Sequence, residues 1–254
     1  MAKVHRILLP VDSDAPESWP LALQAAEEID TVSTPKVTDV VLLLHVKSIL
    51  PHSGLEGFIG KAQSKMLRDG KQLRLPSGAQ LRLETRRSLS LSFARLTTVI
   101  SFYADDGILE LVDGLRNVAG VVAVPEYLGY ASEWKTRWSP LVPGDKKEAP
   151  AALIEDPVIE SAMQSLSGLI NKGNGVLVPR DKEWAQDTLR ILRAKEHITD
   201  PANLKSWAIR DGWQVKAAGE LATIAKKIFE MRTKPSLSKI VNADDRYRRW
   251  TEGE

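Results

Sequence analysis

The sequence predicts an α/β domain built on a doubly wound, mostly parallel sheet, followed by a small all-α helical domain. Three observations carry this. Near-continuous apolar runs at Ile7–Leu9 with Val11, at Val40–Val46, at Thr97–Tyr103 and at Ala119–Pro125 read as strands covered on both faces. Stretches of helical period separate them, the alternation expected of a parallel sheet. Beyond Pro157 the strand pattern stops and helical periodicity alone continues.

In order, Ile7–Val11 reads as a central strand. Asp14 is placed as the N-cap of the following helix, with Glu17 at capping-box spacing and Pro16 in the first turn. Leu21, Ala22, Ala25, Ala26 and Ile29 form that helix's buried face, and Val40–Val46 closes one βαβ unit. Ser53 to Leu67 reads as a helix interrupted by Gly54, Gly57 and Gly60, and Gly70 is a stop. Leu73–Leu75 and Gln80–Glu84 alternate around Pro76-Ser77-Gly78, a hairpin pattern. Asp105 caps a helix running to about Asn117, Ala119–Pro125 is a further strand, and Tyr127–Trp138 a closing helix.

Composition divides the rest. Residues 1–139 form the α/β domain, and 140–157, with Pro140, Pro143, Gly144, Pro150, Pro157 and the charged cluster 145–148, read as a proline-rich linker. Residues 158–232 form a helical domain of about four helices. Ile159, Met163, Leu166 and Ile170 make one stripe, Asp200-Pro201 starts a helix, Gly212 ends it, and Trp184, Trp207 and Trp213 are assigned to the core. Residues 233–254 read as a loosely held tail.

Several function classes are excluded or disfavoured. The absence of cysteine removes disulfides, thiolate nucleophiles and cysteine-ligated zinc. A formal charge of +2 gives no argument for nucleic acid or membrane, although Arg86-Arg87 and Arg246–Arg249 are local basic clusters. His5, His45, His52 and His197 show no metal-ligand spacing, so no metal is expected. The opening residues lack the apolar core of a signal peptide, and no apolar run is long enough for a membrane span, so a cytoplasmic, soluble protein is expected.

The run Arg6–Ser13, the helix after it and the run Val41–Val46 together resemble the opening of the universal stress protein family. The resemblance implies a doubly wound α/β fold, homodimerisation and, in many members, ATP binding. Position by position it implies that Asp12 faces an adenosine and that Val46 lies beside the base. The ATP-binding members carry a glycine-rich phosphate loop, and nothing after Val118 matches it. Without those glycines a backbone cannot approach phosphates closely. No bound cofactor is therefore expected, with ATP kept as the alternative that the resemblance implies.

In such a sheet ligands sit at the carboxyl ends of the strands. That places the candidate binding residues at Asp12, Ser13, His45, Val46 and Asp105, with Asp14, Ser53, Gly54 and Glu84 behind them. Each has an ordinary alternative. Asp14, Ser13 and Asp105 suit capped turns, and His45 suits a partly buried histidine bonded to backbone. Trp134, Arg137 and Trp138, on one helical face, form a candidate partner surface. No catalytic residue is assigned, because no nucleophile elbow, metal motif or phosphate loop is present. The expected function is a non-catalytic, regulatory module that binds a small molecule such as a nucleotide and signals through the helical domain, as a homo-oligomer. The alternatives are an enzyme acting on a phosphorylated substrate at the same crevice, and an adaptor that uses the α/β half as scaffold.

Overall fold

The computed structural model describes residues 4–90, 95–145 and 150–253. Most of the charged cluster 145–148 lies outside the described residues. The chain divides into two compact units, Met1–Pro150 and Ala151–Glu254.

The first unit is a six-stranded, mostly parallel sheet with helices on both faces. Its elements are β1 His5–Leu8, α1 Ser18–Val32, β2 Asp39–Leu44, a 3-10 turn Lys47–His52, α2 Gly54–Ile59, α3 Lys61–Arg68, β3 Leu73–Arg74, β4 Gln80–Thr85, β5 Thr97–Ala104, α4 Asp106–Asp113, β6 Val118–Pro125 and α5 Ser132–Trp138. The strand order is β1-β6-β5-β2-β4-β3. Five strands run parallel, and β3 pairs antiparallel with β4 around the hairpin at Gly78. Successive side chains of a strand point to opposite faces. Val40, Leu42 and Leu44 therefore join one core with Trp19, Ala22, Ala26 and Ile29 of α1, while Val41 and Leu43 join another with Ile108 and Val112 of α4 and Trp134 of α5.

This order corrects the placement of the first strand. β1 is an edge strand, not a central one, and it does not neighbour β2. The centre belongs to β5 and β2, with β6 between β5 and β1; all three are buried at every position, whereas β1 has four residues and only Ile7 fully buried. Helix α1 crosses β6 and β5 on its way to β2. The outer edge of β1 is covered by Leu141, whose N–H donates to Arg6 O and whose carbonyl accepts from Leu8 N–H. Part of the expected linker is thus strand-like backbone. Gly120 lets α1 approach β6, because a Cβ there would stand 2.6 Å from Ile29 Cδ1.

Two further expectations change. Asp14 caps nothing: α1 begins at Ser18 without a side-chain cap. Helix α5 is short because Tyr127–Ala131 forms a loop, with Gly129 at φ 103°.

The second unit contains α6 Pro157–Leu169, α7 Pro179–Ala194, α8 Pro201–Arg210, α9 Val215–Phe229 and α10 Ala243–Glu252. Asp156-Pro157 is a helix start of the same kind as Asp200-Pro201, with each aspartate accepting from backbone N–H groups of the first turn. Pro157 thus belongs to a helix rather than to a linker. The tail is not loose: α10 packs on α6 and α7, burying Trp250 to 4 % exposure, while Arg246 donates to Thr188. Trp207 and Trp213 are core residues, and Trp213 donates to Ser167. Trp184 is half-buried beneath Arg180.

Candidate functional site

From β2 the chain leaves towards β4, and from β5 it leaves towards β6, on the opposite side. Such a reversal opens a crevice at the carboxyl ends of the two adjacent strands. A cleft of about 520 Å³ lies there, lined by Asp14, His45, Ile49, His52, Ser53, Gly54, Tyr103 and Glu126. These residues come from the segments that follow β1, β2 and β6 and from the end of β5. The volume suits a small molecule.

Tyr103 shapes the cleft. The β5–β6 register slips between Phe102 and Ala104, and Tyr103 takes φ 57°, a left-handed conformation uncommon for a bulky residue. Bulges of this kind re-aim side chains next to functional sites. Here the bulge turns the Tyr103 carbonyl towards His45 Nε2, 3.2 Å away, and its hydroxyl towards Asp14 Oδ1, at 3.5 Å. Burial pushes the phenol's pKa up, hydrogen bonds from Ser53 and the Leu55 backbone oppose this, and the Asp14 charge adds to the rise.

A carbonyl only accepts, so His45 Nε2 carries a proton, and in a neutral ring the lone pair then lies on Nδ1. Asp105 Oδ2 stands 3.6 Å from the same Nε2. The other Asp105 oxygen accepts from Ile108 N–H at 2.7 Å and caps α4. Its neighbour Asp106 accepts from Glu133 and Trp134 N–H at the start of α5. One carboxylate of the pair therefore faces the histidine, and the other is occupied with a helix end.

The remaining candidates lie variously. Ser13 is fully buried and held by backbone: its N–H donates to Pro125 O at 2.9 Å, and its carbonyl accepts from the Ser18 hydroxyl. Asp12 is exposed and accepts from Leu128 N–H at 2.8 Å, tying the loop after β1 to the loop after β6. Val46 is half-exposed and does not line the cleft. Glu84 accepts from Ser88 and pairs with Arg82.

The expected partner surface is corrected. Trp134 and Arg137 are buried in the unit's own core, and Trp138 is partly covered. Arg137 pairs with the fully buried Asp113 at 2.7 Å, Trp134 Nε1 donates to the same carboxylate, and the Arg6 guanidinium lies 3.4 Å above the Trp138 ring. Burial pushes the Asp113 carboxyl up against the pull of Trp138, Arg137 and Arg6, and pushes Arg6 down to about 10. These residues lock β1, α4 and α5 together.

Sequence reasoning missed Tyr103, Glu126 and the role of His52. The aromatic ending an apolar run was a signal for Tyr103. Nothing in the residue pattern announces the bulge.

The first unit is thus a three-layer α/β fold with a polar cleft at the reversal of its strand order. Residues 155–251, well under half of the chain, match a family model described as "Domain of unknown function (DUF1889)". No curated protein and no solved structure matches the chain. The resemblance to the universal stress protein family is overturned. The matching family falls on the helical unit, no universal stress protein model matches the α/β unit, and β1 lies at the sheet edge. Among the described residues no helix is long and apolar enough to cross a membrane.

Proposed function

We propose that the α/β unit is a regulatory module that binds a small polar molecule in the cleft between β2 and β5, with the helical unit as its output. The observation that carries this is the convergence of His45, His52, Ser53, Tyr103, Asp14 and Glu126 on one cleft, framed by a residue in a strained conformation. Strain of this kind costs about 1–3 kcal/mol and persists where surrounding structure over-determines it, often at ligand sites. A phosphorylated ligand has little support, because among the described residues none lining the cleft is Lys or Arg.

One observation favours a second reading, an enzyme. His45 lines the cleft with Nε2 bonded to Tyr103 O and Asp105 3.6 Å from the same nitrogen, which leaves Nδ1 of the neutral ring as the atom to accept a proton, an arrangement suited to a general base.

The test is a thermal-shift screen of the full chain against nucleotides, amino acids, polyols, amines and magnesium. A ligand that binds the native state raises the apparent melting temperature by mass action. The binding reading predicts a shift that disappears in His45→Ala. No shift with any class counts against it, and turnover of the ligand found would favour the enzyme.

A further inference from the structure

The cleft is one-sided in its charge: its lining holds two carboxylates and, among the described residues, no lysine or arginine. The Tyr103 hydroxyl points its proton at Asp14 Oδ1, its oxygen takes hydrogen bonds from Ser53 and the Leu55 backbone, and His45 Nε2–H faces Tyr103 O. Each of these donors is directed at the protein. Also lining the cleft are the His52 imidazole, which carries at least one N–H, and the carboxylates of Asp14 and Glu126. Both carboxylate side chains belong to exposed residues, and no Lys or Arg among the described residues lines the cleft to balance them.

We propose that the cleft takes a small organic cation bearing several N–H donors, of the polyamine or guanidinium class. This rests on the reading of the cleft as a ligand site and names its occupant. An anionic occupant would meet the Asp14 and Glu126 carboxylates with no lysine or arginine among the described lining residues to offset them. An ammonium or guanidinium group instead forms charge-assisted hydrogen bonds with Asp14 and Glu126. A bare metal ion fits less well, since among the described residues no group of three or more His, Asp or Glu is arranged to hold one. Tyr103 and the two imidazoles add aromatic surface for the carbon chain or the planar cation.

The test is calorimetric titration of the full chain with putrescine, spermidine and agmatine, in parallel with erythritol, succinate, inorganic phosphate, ATP and magnesium. The expected result is binding of at least one of the three cations, weakened roughly tenfold or more in Asp14→Asn and in Glu126→Gln. Both variants change exposed side chains, so their thermal unfolding should match the wild type. Cation binding that neither variant weakens overturns the assignment. A response confined to erythritol, succinate, phosphate, ATP or magnesium, and lost in His45→Ala, overturns the cation while retaining the cleft as a ligand site. Silence with every compound counts against both.

Discussion

The carbonyl of Tyr103 accepts the Nε2 proton of His45 at 3.2 Å, so the bulge that ends β5 sets the tautomer of the histidine that follows β2. The contact crosses the point where the strand order reverses. His45→Ala removes a partly buried hydrogen bond, and a stability loss of about 0.5–1.5 kcal/mol is expected in urea unfolding. His45→Gln, which can return an N–H to the carbonyl, should recover part of that loss without restoring a lone pair at Nδ1. Equal stability of all three proteins would show that the contact does not hold the strands.

The pair Arg137–Asp113, exposed by 2 % and 0 %, is the costliest place in the first unit to leave half-made. Arg137→Ala strands a buried carboxylate and should destabilise by about 3–5 kcal/mol. The double variant Asp113→Leu with Arg137→Met removes both charges and should lose less than Arg137→Ala alone. Chemical denaturation of the two proteins decides this, and a double variant weaker than the single one would contradict the account.

Close packing of α1 on β6 depends on Gly120. A methyl group there would stand 2.6 Å and 2.8 Å from Ile29 carbons and 3.0 Å from His5 O. Gly120→Ala should lower stability by about 1–3 kcal/mol, the usual scale of overpacking. An additional Ile29→Val change, which frees space, should recover part of it. A neutral Gly120→Ala would mean that the helix shifts at no cost.

In the second unit, His197 joins Asp156 at 2.7 Å and Tyr247 at 3.0 Å, linking the start of α6 to α10. Burial raises the Asp156 pKa, but the His197 hydrogen bond, the Val158 and Ile159 N–H groups and the His197 charge together hold it below the ordinary carboxylate value. A depressed carboxyl pKa contributes stability that is present above the unfolded value and lost as pH falls through the folded one. Asp156→Ala should therefore cost stability at neutral pH, about 0.5–2 kcal/mol for the lost cap. The gap from wild type should narrow in acid. A gap constant from neutral pH to below the ordinary carboxylate range would contradict this.

The alternation of apolar runs and helical stripes made the parallel sheet, the hairpin at Gly78 and the helices after Pro157 legible in the sequence, because each is a local periodic pattern. The position of β1 was not. Ile7–Leu9 looks like a central strand in isolation, and only the longer, fully buried runs of β2, β5 and β6, which take the interior of the sheet, place it at the edge. Trp134 and Arg137 look like a surface because an arginine beside two tryptophans on a short helix is ordinarily exposed. Their burial depends on Asp113, twenty-odd residues earlier, which no spacing rule connects to them. The charged tail failed for a similar reason. Helix α10 is polar in sequence, and it is held by Trp250 and by contacts to Thr188, Lys195 and His197 that exist only once the unit has folded. At the cleft, His45 was legible from its place after an apolar run, whereas Tyr103 depended on a bulge.

The central claim, a ligand site between β2 and β5, is tested most directly by histidine-detected NMR of the full chain with the ligand that gives a thermal shift. Two of the four histidines, His45 and His52, line the cleft, while His5 lies on β1 and His197 in the helical unit. The account predicts that the imidazole signals of His45 and His52 move on ligand addition while those of His5 and His197 stay. Movement of His5 or His197 with His45 and His52 unchanged would place the ligand elsewhere and contradict it.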